Sequence, residues 1–228
     1  MKKFLVVVAS VLLLVGCGNK ELKKYYDNME VNPNMIGYTI DLRFDGIYND
    51  KKVNDIVRVD NYMNKDYIIN DSNRVIDKED SLREADLYIS NGKSYVMKEE
   101  KYISVEETSM YTNTNIYLTG LLKAKKVGKP TEDEIGTKKY TSYTFKVDKK
   151  TMNEILKNTS LKLEVTKDVE AKVYIEEDKV YKIVYNIHTG LEQEDTLVLS
   201  VCYFKFNGTR ELNIDSTIYD NPEIPSES

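Results

Sequence analysis

Hydrophobic and polar positions alternate along most of this chain with the period of a strand. Tyr38, Ile40, Leu42 and Phe44 interleave with Thr39, Asp41, Arg43 and Asp45, so the first four share one face and the second four meet water. Asp45-Gly46 then predicts a tight turn. Further strands are read over residues 53–60 and 62–70. Residues 87–90 and 93–97 flank Asn91-Gly92, a strong short-range hairpin signal, and 101–105 follow. Later strands are predicted over 138–147, 161–165, 170–176, 179–187 and 196–206, with Asn207-Gly208 turning the last of them into 209–214.

Helical spacing is rarer. Leu22, Tyr25, Tyr26 and Met29 recur at i, i+3, i+4 and i+7, which predicts an amphipathic helix over about residues 19–30, stopped by Asn32-Pro33-Asn34. Leu118, Leu121 and Leu122 give residues 111–126 a helical reading that Thr and Asn dilute. Asp148 suits the N-cap of a helix whose Met152, Ile155 and Leu156 point inward. Gly128-Lys129-Pro130 and Glu132-Asp133-Glu134 read as a loop. About ten short strands against two or three helices, with no strand-helix-strand rhythm, predict an α+β fold on an antiparallel sheet.

The N-terminus follows a different grammar. Lys2 and Lys3 precede a continuous apolar or small run from Phe4 to Val15. As a helix this run would span roughly 18 Å, against a hydrocarbon core of about 30 Å, so it is too short to remain as a span. A basic start, an apolar centre and a small residue before the cut describe a secretory signal peptide. Leu14-Val15-Gly16-Cys17 resembles the lipobox of bacterial lipoproteins. That resemblance implies cleavage between Gly16 and Cys17, with a diacylglycerol on the Cys17 thiol. Such an anchor holds a protein to a membrane far more firmly than one chain would. The expected organisation is a signal peptide over residues 1–16, one domain over 17–218, and a mobile tail over 219–228 that carries Pro222, Pro225, Glu223 and Glu227. The expected location is the extracytoplasmic face of the cell membrane.

Composition narrows the classes. With 228 residues, 41% hydrophobic and 31% charged, the chain fits neither a collagen, a disordered tail nor a polytopic membrane protein. There are 33 Lys+Arg against 38 Asp+Glu, a net charge of -5, and no basic cluster of the kind nucleic acid requires. Without residues 1–16, and so without Lys2 and Lys3, 31 basic residues face 38 acidic ones, a net charge of -7. On net charge alone such a domain is repelled by an anionic membrane, leaving the lipid to hold it there.

Candidate chemistry is sparse. Once Cys17 carries lipid, Cys202 has no disulfide partner; it sits in the apolar run 197–204, where a free cysteine is expected to behave as a small buried hydrophobe. His188 is the single histidine, too little for a His-rich metal site, and it reads as polar surface at a strand end. No Gly-x-Ser-x-Gly turn presents a nucleophile. Glu99-Glu100, Glu106-Glu107 and Glu176-Glu177-Asp178 are adjacent in sequence, whereas a glycosidase pair must flank a bond in space. Residues 71–75 lack the glycine and the fifth-position ligand of a calcium loop. No catalytic residue, metal site or cofactor is therefore expected. The 18 tyrosines suit both strands and recognition surfaces.

A lipobox, an amphipathic helix, a meander, helices between strands and late hairpins in this order resemble the LolA/LppX-type lipoprotein carriers. The resemblance is architectural and covers most of the chain after residue 16. It implies a strongly curved antiparallel sheet, a half-barrel, packed with the N-terminal helix and one or two short helices. It also implies a non-catalytic protein that holds acyl chains or lipidated molecules between sheet and helices. No motif aligns residue by residue, so no ligand-binding residues are carried over. Alternation supplies the apolar face such a carrier needs, but a packed core and a hollow one give the same pattern. The alternative is a structural or interaction module that contacts another envelope protein through a sheet face or edge.

Overall fold

The computed structural model describes residues 19–48, 51–72, 86–107, 109–159, 163–188, 196–212 and 214. Eleven strands carry the chain: β1 (Gly37–Tyr48), β2 (Lys51–Tyr62), β3 (Asp66–Asp71), β4 (Leu87–Ser90), β5 (Lys93–Lys98), β6 (Lys101–Val105), β7 (Lys125–Ile135), β8 (Lys138–Val147), β9 (Val169–Glu176), β10 (Lys179–His188) and β11 (Thr196–Phe204). They form one antiparallel sheet in the order β6-β5-β4-β3-β2-β1-β11-β10-β9-β8-β7. Every neighbouring pair is a sequence neighbour except one. There β1 meets β11, with Ile40 opposite Tyr203 and Phe44 opposite Leu199. Because β6 and β7 lie at opposite edges, the sheet is an open half-barrel, and the α+β architecture expected from the sequence is the one observed.

Helix α1 (Lys20–Tyr26) continues into a π-helical turn, Asp27–Val31; α2 (Ile116–Leu122) follows a 3-10 turn at Met110–Thr112; α3 (Lys149–Leu156) follows β8. All three helices pack on one face of the sheet. Leu22 and Met29, Leu118 and Leu121, and Met152, Ile155 and Leu156 share a single core with Ile40, Leu42, Phe44, Val173, Ile183, Tyr185, Leu199 and Val201. The period of two predicted for β1 is visible here, since Tyr38, Ile40, Leu42 and Phe44 are all buried on that inner face. Asp148 caps α3 as its sequence position indicates: its carboxylate accepts from the Thr151 amide at 3.0 Å and from the Thr151 hydroxyl at 2.7 Å. Helices α2 and α3 approach closely at Gly120, where a Cβ would lie 2.7 Å from the Ile155 Cδ1. Among the described residues no helix is long and apolar enough to cross a membrane.

The structure departs from the sequence reading in six places. Gly46 lies inside β1, pairing with Leu197 and Val53, instead of turning the chain. A side chain there would strike the Thr196 carbonyl at 2.1 Å, so glycine serves strand contact. The turn after β2 falls at residues 63–65, which delays β3 to Asp66. The presumed loop at 128–134 belongs to β7, an edge strand interrupted by a register shift between Val127 and Thr131. Residues 111–126 divide into a 3-10 turn, α2 and the start of β7. Residues 209–212 form no strand; Thr209 instead donates to the Asn61 carbonyl at 2.8 Å, and the Leu212 amide to Asp66 at 3.1 Å. Of the stretch read as 161–165, residues 163–165 are described and are not a strand.

Candidate functional site

Antiparallel pairing sorts the molecule into two ends. At one end β1 begins, β11 finishes and β2 turns into β3. At the other, β8 finishes opposite the start of β9, α3 begins, and β1 turns into β2. The 12 residues of β1 set the two ends about 40 Å apart.

The first end holds a polar cluster inside an otherwise apolar core. Glu30 sits at the close of the π-helical turn, and Tyr38, near the start of β1, donates its hydroxyl to the Glu30 carboxylate at 2.5 Å. The Thr114 hydroxyl, just before α2, lies 3.3 Å from the Tyr38 oxygen. Asn61, on the inner face of β2, donates to Thr114 at 3.1 Å and to the Asn64 side-chain oxygen at 2.8 Å, and accepts from the Asn64 amide at 3.0 Å. Four separate stretches of chain are thus fastened together by side-chain hydrogen bonds. Burial pushes the Glu30 carboxyl above its ordinary range, and the Tyr38 hydrogen bond offsets part of that rise.

Behind the cluster lies an unsatisfied group. The Tyr203 ring meets Tyr38 edge-on, with centroids 5.6 Å apart, and its buried hydroxyl has no hydrogen-bond partner among the described residues. Buried hydroxyls normally find one, because leaving a polar group unpaired costs about 1–3 kcal/mol.

Around the cluster is a rim of exposed apolar side chains. Val31 follows Glu30 and is 62% exposed; Met63 precedes Asn64 and is 57% exposed. Ile36, 37% exposed, accepts the Met63 amide at 2.8 Å, and Met110, 45% exposed, lies in the 3-10 turn leading to Thr114. An isolated exposed apolar residue needs no explanation. Here four of the eight large apolar side chains exposed among the described residues gather at one end around buried polar groups, which is the make-up of a recognition surface.

The helix-covered half of the sheet differs. Leu118, Leu121, Met152 and Ile155 are fully buried against Phe145, Val147, Ile183 and Tyr185, so side chains fill this region. A separate cleft of about 300 Å³ opens on the outer face, between β2 and β3 and the segment 208–212, lined by Asp60, Tyr62, Asp66 and Arg210.

The residues singled out in the sequence lie elsewhere. Gly16, Cys17 and the tail 219–228 fall outside the described residues. Cys202 points to the outer face, between Asp41 and Lys182 on the adjacent strands, and is half-buried rather than enclosed in the core. Burial still pushes its thiol upward. His188 ends β10, is exposed, and pairs with Thr196, far from the polar cluster. Sequence reasoning missed Glu30, Asn61 and Thr114. The one signal for Asn61 was its phase, since Val57, Val59 and Asn61 share the inner face of β2.

No protein-family model and no curated protein matches the chain. Solved structures do. LprF from Mycobacterium bovis superposes with a TM-score of 0.51 at 10% identity, over 84% of this chain and 93% of its own. The Mycobacterium tuberculosis lipoprotein LppX aligns over 86% of this chain and 97% of its own, at 10% identity and a TM-score of 0.47. A LolA superfamily protein from Nitrosomonas europaea aligns over 86% and 94%, at 11% identity and a TM-score of 0.30. The LprF likeness is one of fold alone, that of an open antiparallel sheet packed with short helices.

Proposed function

We propose that this chain is a lipoprotein, cleaved before Cys17 and tethered by that residue's diacylglycerol to the extracytoplasmic face of the cell membrane. Its non-catalytic domain binds a hydrophobic or envelope-derived ligand at the end rimmed by Val31, Ile36, Met63 and Met110. The observation that carries this reading is the pairing of that exposed apolar rim with an unpartnered, buried Tyr203 hydroxyl. An amphiphile laying its chain on the rim and turning a polar group inward would satisfy both. The lipobox resemblance at Leu14-Val15-Gly16-Cys17 supports the anchor.

A second reading has its own support. The filled interior under α2 and α3 favours a module that presents the same rim to another envelope protein. Native mass spectrometry of the purified full chain separates the two. Near-stoichiometric co-purified lipid that is lost in Val31→Asp/Met63→Asp supports ligand binding. A lipid-free protein, or one whose lipid is indifferent to those changes, supports the module. Labelled palmitate that enters the wild type and not Cys17→Ser tests the anchor on its own.

A further inference from the structure

The fastening of Asn19 decides which end of the domain a lipid on Cys17 would hold to the membrane. The Asn19 amide donates to the Leu122 carbonyl, at the end of α2, at 3.2 Å. Cys17 is two residues earlier in the sequence, a length of chain that reaches about 8 Å at most. A lipid on Cys17 therefore draws the α2–α3 end against the bilayer, and the apolar rim lies at the opposite end.

Charged side chains surround the fastening. Beside the fastening are the exposed Lys20 and Lys123. Lys123 lines a small cleft between α2 and α3 together with Glu154. Glu154 also borders a wider groove of about 530 Å³ that carries Lys149, Lys150, Lys157 and Glu164. With Glu21 and Asp168, which pair with Lys126 and Lys146, and the α3 cap Asp148 included, seven lysines face five carboxylates here, although the chain from residue 17 is net acidic. The surface potential of an anionic leaflet fades within a Debye length of about 8 Å, so the charge nearest the membrane governs contact, not the total. The repulsion expected from net charge alone is thereby reversed locally.

We propose that this lysine-bearing α2–α3 end is a docking surface for the anionic headgroups of the membrane that holds the chain's own anchor, so that the domain stands upright with its apolar rim facing away from the bilayer. The inference rests on the proposed Cys17 tether, because that tether selects the end. It goes further in assigning an orientation and the lipid class that maintains it.

The chain contains no tryptophan, so one introduced tryptophan reports its own position. The chain from residue 17, carrying Cys202→Ser, is coupled through Cys17 to a maleimide lipid in phosphatidylcholine vesicles with and without phosphatidylglycerol. Energy transfer to a dansyl headgroup is measured from Glu154→Trp at the docking end and from Val31→Trp at the rim. On anionic vesicles, transfer from position 154 is expected to exceed transfer from position 31 several-fold. Lys123→Glu/Lys150→Glu/Lys157→Glu, or omission of phosphatidylglycerol, is expected to shrink that difference. Equal transfer from both positions, or a difference unmoved by charge reversal and by lipid charge, overturns the proposal. Chemical coupling keeps this result independent of whether cells acylate Cys17, which the intact mass of the cell-made chain reports separately.

Discussion

Tyr185 donates its hydroxyl to the backbone carbonyl of Tyr117 at 2.6 Å, joining the middle of β10 to the first turn of α2 inside the core. Tyr203, on the neighbouring strand and equally buried, makes no such bond among the described residues. Two tyrosines alike in burial thus differ in the one property that decides what a hydroxyl contributes.

The pair gives opposite expectations for the same substitution. Tyr185→Phe forfeits a made hydrogen bond and should lower stability by about 1 kcal/mol, a fall in Tm of roughly 2–4 °C. Tyr203→Phe removes an unpaired group and should leave Tm unchanged or raise it. Thermal unfolding of both variants is the measurement. A loss at Tyr203→Phe comparable to that at Tyr185→Phe would mean that the Tyr203 hydroxyl is bonded in the native protein.

Glu30 makes stability depend on pH. Its carboxyl is raised in the folded state by burial, with the Tyr38 hydrogen bond opposing the rise, so the native chain holds this proton to a higher pH than the unfolded chain does. The native state then binds more protons over that interval, and stability falls as pH increases. The Glu30 contribution is most favourable below the ordinary carboxylate range, near pH 4, and is lost progressively as pH rises through the folded value. Glu30→Gln keeps an acceptor for Tyr38 but cannot ionise. Denaturant titrations at a series of pH values should show the variant gaining on the wild type as pH rises from 4 towards neutrality, and parallel curves would refute this.

The cap on α3 is testable without disturbing the core. Asp148 satisfies the Thr151 amide, and that hydrogen bond, followed by the one from the Thr151 hydroxyl, holds its carboxyl below the usual carboxylate range. Asp148→Ala should cost about 1 kcal/mol and Asp148→Asn much less, read from the urea midpoint at constant m-value.

Cys202 should be a sluggish thiol. Burial, the largest influence on it, lowers the thiolate fraction at neutral pH, and the thiolate is the reactive species. Ellman's reagent at pH 7.5, applied to the chain with Cys17 acylated or replaced by Ser, is expected to label Cys202 several-fold more slowly in the native state than in denaturant. Equal rates would place the thiol in open solvent.

Much of the sheet was legible because its strands are wet on one face and dry on the other. The alternation of Tyr38, Ile40, Leu42 and Phe44, and the Asn91-Gly92 turn between β4 and β5, carried through to the structure unchanged. β7 was illegible for the converse reason: at the edge of the sheet most of it is exposed on both faces, so no period of two develops, and Gly128 and Pro130 read as loop. Gly46 misled because a glycine admitting a close neighbouring strand has the same letter as one in a turn. The candidate site left still less trace. Glu30, Tyr38, the Asn61–Asn64 pair and Thr114 come from four local contexts, each ordinary by itself, and only the register of β1 against β2, with Tyr38 opposite Asn61, brings them together.

An unclosed sheet exposes two open flanks, and a protein tethered as proposed above would meet its copies at high two-dimensional density. On one flank, β7 carries Lys125, Lys126 and Lys129, a register shift, and Pro130, which has no amide proton to offer. A second copy cannot zip along that flank without losing bonds at the shift and at Pro130. The irregularity that hid β7 from the sequence also discourages side-by-side polymerisation of crowded molecules there.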